Sequence, residues 1–168
     1  GSRRRRGLER RTHVCPGTVV IAMIVMKFGG TSVGSAEAIR RVAGIVQGQV
    51  QREPVVVVSA MAKTTNRLLE MADIAVQGKR DEALEKLEWL RQFHLSEAAK
   101  LNGGAASEEI VAFVDSHFEE LSYLIQGLAY LRELTPRSVD AVSAFGERLS
   151  SRIVTFGFEQ AGIPAVHV

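Results

Sequence analysis

The stretch KFGGTSVGS, from Lys27 to Ser35, lies between a predicted strand and a predicted helix. The preceding run, Val19 to Met26, is apolar and mostly β-branched, which is typical of a buried strand. Ser35 begins a segment, Ser35 to Ile39, that resembles a helix start capped by a hydroxyl. The sequence therefore predicts a short, glycine-bearing loop that connects strand to helix.

This loop has the composition of an anion site. Gly29 and Gly30 permit backbone conformations in which consecutive N–H groups converge on a phosphate, and the following helix adds its positive N-terminal dipole. Lys27 supplies a full positive charge, and Thr31 and Ser32 supply hydroxyls. The lysine precedes the glycines, so this is not the Walker loop. A tight turn beside a solvated lysine stays open as an alternative.

A second strand follows one helix later. Apolar residues between Ala36 and Gln51 recur at helical spacing, and Pro54 ends that pattern. Val55 to Val58 is β-branched without alternation, which predicts a strand buried on both faces of a parallel sheet. Strand, helix and strand in this order predict the α/β class. Because ligands bind beyond the carboxyl ends of parallel strands, we expect Lys27 and Ser59 to lie close together.

Two further segments carry polar groups that suit a small substrate. In the first, Val55 to Asn66, Ser59 and Thr65 offer hydroxyls near a helix N-terminus, although turn chemistry and capping explain most such residues. In the second, Ser143 to Ile153, a glycine lies inside a helical pattern, which often marks close backbone approach. The adjacent Glu147 suits an ammonium ligand, or alternatively a surface ion pair with Arg148 or Arg152.

The three motifs together resemble the N-terminal part of the aspartate kinases, over roughly Met23 to Val168. The resemblance implies the amino-acid kinase (carbamate kinase-like) fold, a parallel-rich sheet with flanking helices. It also implies ATP and L-aspartate as substrates, with Mg²⁺ bound through the nucleotide rather than by a protein cage. The residues it implies for ATP are Lys27, also the catalytic residue, with Gly29, Gly30, Thr31 and Ser32; those for aspartate are Ser59, Thr65 and Glu147.

The implied reaction is in-line transfer of the γ-phosphoryl group to the side-chain carboxylate of aspartate, the first step of lysine, threonine and methionine biosynthesis. A carboxylate is already ionised at neutral pH, so positioning and charge neutralisation provide the catalysis. Two residues depart from the family pattern. Met61 stands where a small residue is usual, and Lys63 stands where glycine is common.

The remainder of the chain is predicted to be mostly helical. Asn66 to Leu134 has the period of three helices. Their apolar stripes favour core packing, and include Leu87, Trp89, Phe118, Leu124, Leu128 and Leu131. Pro136 is well placed in the first turn of another helix. The last residues, Ile163 to Val168, resemble another strand that enters the sheet. We expect a truncated fold with a helical subregion.

We divide the chain into a basic arm, residues 1–18, and the N-terminal portion of an aspartate kinase catalytic domain, residues 19–168. The resemblance implies that the nucleotide-binding half and the regulatory ACT domains are absent, so we expect the fragment alone to be inactive. Met23 and Met26 are both plausible native starts. The full-length enzyme is expected to be a homo-oligomer.

Charge is concentrated at the start of the chain. Gly1 to Arg11 holds six of the 21 Lys and Arg residues and one of the 19 acids, which leaves 15 bases against 18 acids elsewhere. The arm lacks aromatic residues that would stack on bases, so a solvated or vector-derived leader is favoured over nucleic-acid binding. The apolar run after it is too short to span a membrane. A single cysteine, Cys15, suits the reducing cytoplasm.

Two alternatives to aspartate kinase stay open. Another member of the amino-acid kinase family, acting on glutamate, carbamate or a nucleotide, would share the lysine and the glycines. A non-catalytic scaffold whose basic arm binds nucleic acid would show affinity that is sensitive to salt.

Overall fold

The computed structural model describes residues 23–168, and this part of the chain contains two short strands and five helices. The strands are β1 (Val25–Phe28) and β2 (Val55–Val58), and the helices are α1 (Ala36–Gln47), α2 (Thr64–Val76), α3 (Arg80–Leu101), α4 (Glu108–Leu131) and α5 (Pro136–Gln160). Short 3-10 turns span Val50–Arg52 and Met61–Lys63. The predicted α/β class and the three helices predicted between Asn66 and Leu134 are confirmed.

The strand, helix and strand unit forms in the predicted order. The first strand differs from its prediction, because β1 begins at Val25, includes Lys27, and is not buried: Val25 is 66% exposed. β1 and β2 pair in parallel, from Val25 opposite Val55 to Phe28 opposite Val58, and α1 connects them. The Ser35 Oγ accepts a hydrogen bond from the Ala38 N–H at 3.2 Å, which confirms the predicted cap. α1 ends at Gln47, four residues before the predicted end, because Gly48 and a 3-10 turn follow it. The predicted residues 19–22 of the first strand and the whole arm lie outside the described residues.

The prediction that β2 is buried on both faces is wrong. Its burial alternates, and Val55 and Val57 are 47% and 44% exposed, whereas Val56 and Val58 pack against the core. The physical reason is that helices cover only one face of this two-stranded sheet within residues 23–168. β-branched residues fit a strand with either environment, so their run did not distinguish the two cases.

The predicted strand at Ile163 to Val168 is also absent. Ile163 is buried, but the residues after it have no ladder partner, and a cleft of about 520 Å³ separates them from β2. The His167 ring instead lies 2.8 Å from the Ser151 hydroxyl of α5. An extended segment becomes a strand only when its backbone groups pair, and here side-chain contacts with α5 hold it away.

The core lies among the helices. Its largest fully buried side chains come from every helix, and include Ile39, Leu68, Leu90, Leu121 and Phe145. The predicted core stripes are confirmed at Leu87, Phe118 and Leu128 but wrong at Trp89, Leu124 and Leu131, which are exposed. Among residues 23–168, no helix is both long and apolar enough to cross a membrane.

Candidate active site

Ala60, the residue that follows Ser59 beyond β2, is the point at which the three sequence motifs meet. It is 7% exposed, and two glycines approach it from different elements. A Cβ built on Gly30 would lie 2.5 Å from the Ala60 carbonyl oxygen, and one built on Gly146 would lie 2.8 Å from the Ala60 Cβ. Only glycine permits approaches this close. The prediction of close backbone approach at Gly146 is therefore confirmed.

Lys27 lies in β1 opposite Val57, one residue before the strand ends. Its side chain is exposed, and no carboxylate of residues 23–168 lies within 4 Å of its ammonium group. The Ser59 N–H donates to the Phe28 carbonyl at 3.1 Å, so the ends of β1 and β2 are joined directly. The predicted proximity of Lys27 and Ser59 is confirmed at the level of the backbone.

The loop after β1 is a turn that presents its residues to solvent. The Ser32 N–H donates to the Gly29 carbonyl at 2.9 Å, and the Thr31 and Ser32 side chains are exposed. The prediction that Gly29 and Gly30 are needed for their backbone conformations is wrong, since neither has a positive φ. Gly30 is instead required by its contact with Ala60, and the Ala62 N–H also donates to the Gly30 carbonyl at 3.4 Å.

The segment between β2 and α2 contains the least usual backbone in the site. Ala62 and Lys63 have φ values of 40° and 61°, in the left-handed region that favours glycine. The Lys63 side chain is exposed there, while the Met61 side chain is fully buried. Met61 therefore fills the core beneath the loop, and Lys63 occupies a strained position. Ser59 is half-buried, and its carbonyl oxygen accepts a hydrogen bond from the Ser150 hydroxyl at 2.8 Å.

Thr65 and Glu147 lie on two helices that touch. A Cβ built on Gly146 would be 3.2 Å from the Thr65 Oγ1, and Glu147 is the next residue of α5. The Glu147 side chain is exposed, and the alternative of an ion pair with Arg148 or Arg152 is not realised. Those arginines pair with other carboxylates, Arg148 with Glu120 and Arg152 with Glu109 and Glu159.

Glu97 of α3 is a residue at this site that the sequence did not reveal. Its carboxylate accepts a hydrogen bond from the Ala36 N–H at 2.7 Å, at the first turn of α1. A helix N-terminus attracts negative charge, and here a buried carboxylate already occupies it. The prediction that the dipole of α1 is available to a phosphate is wrong at this amide. No local sequence signal connects these two residues, which are 61 positions apart.

His94 of α3 is a buried titratable group that contacts Thr64, the first residue of α2. It is fully buried, and burial lowers its pKa to about 4, even though the Leu90 carbonyl and Glu97 act in the opposite direction. The ring is therefore neutral at pH 7. No three His, Cys, Asp or Glu side chains cluster as a metal site anywhere in residues 23–168.

Known proteins resemble this chain in both sequence and fold. The sequence model described as "Amino acid kinase family" matches residues 22–168. The chain belongs to the amino acid kinase family. Its fold also matches two solved structures of E. coli aspartokinase III, one in complex with lysine and aspartate and one with aspartate and ADP. Both structures have a TM-score of 0.72 and are 27% identical to this chain in sequence. The matched regions include 85% and 86% of this chain, and 30% of each solved chain.

Curated members of the amino acid kinase family are more similar in sequence. Aspartokinase 2, chloroplastic, of Arabidopsis thaliana is 38% identical over 140 residues, which is 82% of this chain and 25% of that protein. The aspartokinase of Chlamydia trachomatis is 38% identical over 133 residues, which is 79% of this chain and 27% of that protein. This chain thus spans about a quarter of the length of these relatives.

Proposed function

We propose that this chain is the N-terminal portion of the catalytic domain of an aspartate kinase. The reaction is transfer of a phosphoryl group from ATP to the side-chain carboxylate of L-aspartate, which gives aspartyl phosphate and ADP, the first step of lysine, threonine and methionine biosynthesis. The observation that carries this proposal is the convergence of three elements on Ala60: the loop that follows Lys27 and β1, the loop of Ser59, and the helix of Glu147.

The loop after β1 suits the phosphates of ATP. Lys27 is exposed and has no acidic partner within the described residues, and Gly29 to Ser32 form an open turn beside it. When bound, ATP supplies the phosphoryl group, and Mg²⁺ carried by the nucleotide neutralises part of its charge. The ammonium group of Lys27 then stabilises the charge that remains on the transferring oxygens.

The other two motifs suit aspartate. Ser59 and Thr65 are half-buried and offer hydroxyls, and Glu147 is an exposed carboxylate one residue beyond the Gly146 contact with Thr65. In this proposal Glu147 receives the α-ammonium group, while the hydroxyls hold the rest of the substrate. The substrate's own carboxylate is the nucleophile, so no general base is needed.

The proposal extends to the whole protein. We expect the 168-residue chain to be inactive alone, and the enzyme that contains it to be cytoplasmic and homo-oligomeric.

The surface of α4 supports an oligomer. Exposed apolar residues lie three and four positions before and after Gly127: Tyr123, Leu124, Tyr130 and Leu131. A second copy crossing antiparallel at Gly127 would pair this pattern with itself. Multi-angle light scattering measures the oligomeric state.

The test uses a hybrid enzyme in which residues 23–168 replace the matching segment of the Chlamydia trachomatis aspartokinase. We expect the hybrid to release ADP when aspartate is added, and hydroxylamine to trap the acyl phosphate. We expect the 168-residue chain to do neither. A folded hybrid that ignores aspartate but phosphorylates glutamate, carbamate or a nucleotide would assign this segment to another branch of the family.

A further inference from the structure

Helix α3 contacts both candidate substrate loops through two buried polar residues. Glu97 and His94 are three positions apart, so they lie on the same side of the helix. Glu97 contacts the first turn of α1, directly after the loop of Lys27, and His94 contacts Thr64, directly before Thr65. Each residue therefore connects the same rigid helix to a different loop.

Glu97 is well suited to fix the end of the phosphate loop. It is 6% exposed, one carboxylate oxygen accepts from the Ala36 N–H at 2.7 Å, and the other lies 2.6 Å from the Lys100 ammonium group. Hydrogen bonds to a charged acceptor are stronger than neutral ones, and burial leaves them little screened. The Lys100 ammonium group therefore lies beside this buried side chain as its ionic partner.

His94 is similarly fixed. Its Nδ1–H donates to the Leu90 carbonyl at 2.8 Å, and its Nε2 lies 3.5 Å from the Thr64 hydroxyl, a long hydrogen bond in which the neutral ring accepts. Phe93 and Phe118 pack against the ring, with centroids 5.2 and 5.7 Å away. Thr64 follows the left-handed Lys63, so this contact holds the first helical residue after a strained turn.

We propose that His94 and Glu97 are positioning residues, through which α3 sets the geometry of the aspartate loop and of the ATP loop respectively. The proposal rests on the proposed function. Both side chains are buried, and both act through a backbone or side-chain group next to the residues that would meet substrate. Small displacements of groups that meet substrate strongly affect an enzyme's kinetics. Since each residue contacts only one of the two loops, its loss should affect one substrate more than the other.

Steady-state kinetics of the hybrid enzyme test this selectivity. We expect Glu97→Leu to raise the KM for ATP about tenfold and to leave the KM for aspartate within about twofold, and His94→Phe to do the reverse. Glu97→Gln keeps an acceptor oxygen, and His94→Gln replaces the acceptor nitrogen of the ring with an amide oxygen, so both should avoid most of the loss. Glu85→Leu, at an exposed position of the same helix, is the matched control and should change neither KM. Equal effects of Glu97→Leu and His94→Phe on both substrates, or no effect, would overturn the proposal.

Amide hydrogen exchange on the 168-residue chain gives a second test that needs no activity. We expect Glu97→Leu to accelerate exchange at Ala36 and the preceding loop, and His94→Phe to accelerate it at Thr64 and Thr65. Uniform acceleration throughout the core, in either variant, would show a merely structural role and overturn the proposal. If the unmodified hybrid fails to use aspartate, the proposed function fails, and the exchange pattern still decides whether α3 positions the two loops.

Discussion

Gly146 of α5 packs against Ala60 so closely that a Cβ built on the glycine would lie 2.8 Å from the Ala60 Cβ. We expect Gly146→Ala to destabilise the chain by up to about 2 kcal/mol. Overpacking costs about 1 to 3 kcal/mol, and the better helix propensity of alanine offsets about 1 kcal/mol of that. Urea unfolding followed by circular dichroism measures the change.

Gly44 is the matched control for this substitution. It also lies inside a helix, α1, but a Cβ built on it would meet no atom within 4 Å. Gly44→Ala should therefore stabilise the chain by up to about 1 kcal/mol through propensity alone. If both glycines respond alike, the contact with Ala60 does not limit the packing of α5.

Lys63 has a φ of 61°, where a residue with a Cβ is strained. The strain is about 1 to 2 kcal/mol, and glycine would relieve it while losing up to about 1 kcal/mol through greater freedom of the unfolded chain. We expect Lys63→Gly to stabilise the chain by up to about 2 kcal/mol in thermal unfolding. The control is Glu85→Gly, at an exposed position inside α3 where glycine gains nothing, and it should be destabilising by about 1 kcal/mol. Loss of stability in Lys63→Gly would contradict this account.

The sequence predicted those parts of the fold whose signals are local. Periodicity and turn residues located the helices, and the order of the motifs placed Lys27 and Ser59 at neighbouring strand ends. Burial of β2 was mispredicted because a run of valines does not report which face a helix covers. Glu97 was missed because its partner, Ala36, is a backbone amide 61 positions away, and such a contact leaves no pattern in either segment.

The buried His94 makes stability depend on pH. Its pKa is lowered from 6.5 to about 4 in the folded chain, chiefly by burial, so the unfolded chain binds the proton more readily. Stability is therefore fully present above about pH 6.5 and is lost as the pH falls toward 4, by about 3 kcal/mol at most. Urea midpoints between pH 7 and pH 4 measure this loss.

Two variants separate His94 from the carboxylates that titrate in the same range. His94→Phe should flatten the difference in unfolding free energy between pH 7 and pH 4, because it removes the group that gains a proton on unfolding. His117→Phe, on α4, leaves His94 in place and should retain most of the slope. An unchanged slope in His94→Phe would assign the acid sensitivity to other groups.

Lys27 should contribute to turnover more than to aspartate binding, because it lies near the end of β1, just before the loop proposed for ATP, whereas Thr65 lies on α2. Removal of a single group that stabilises transition-state charge costs on the order of 10² to 10³ in kcat. We expect Lys27→Ala to lower the kcat of the hybrid enzyme by that factor, with the KM for aspartate changed less than about threefold. Lys79→Ala removes an exposed lysine elsewhere and should leave both parameters unchanged. Near-normal turnover of Lys27→Ala, in a hybrid that folds, would remove Lys27 from the proposed catalytic role.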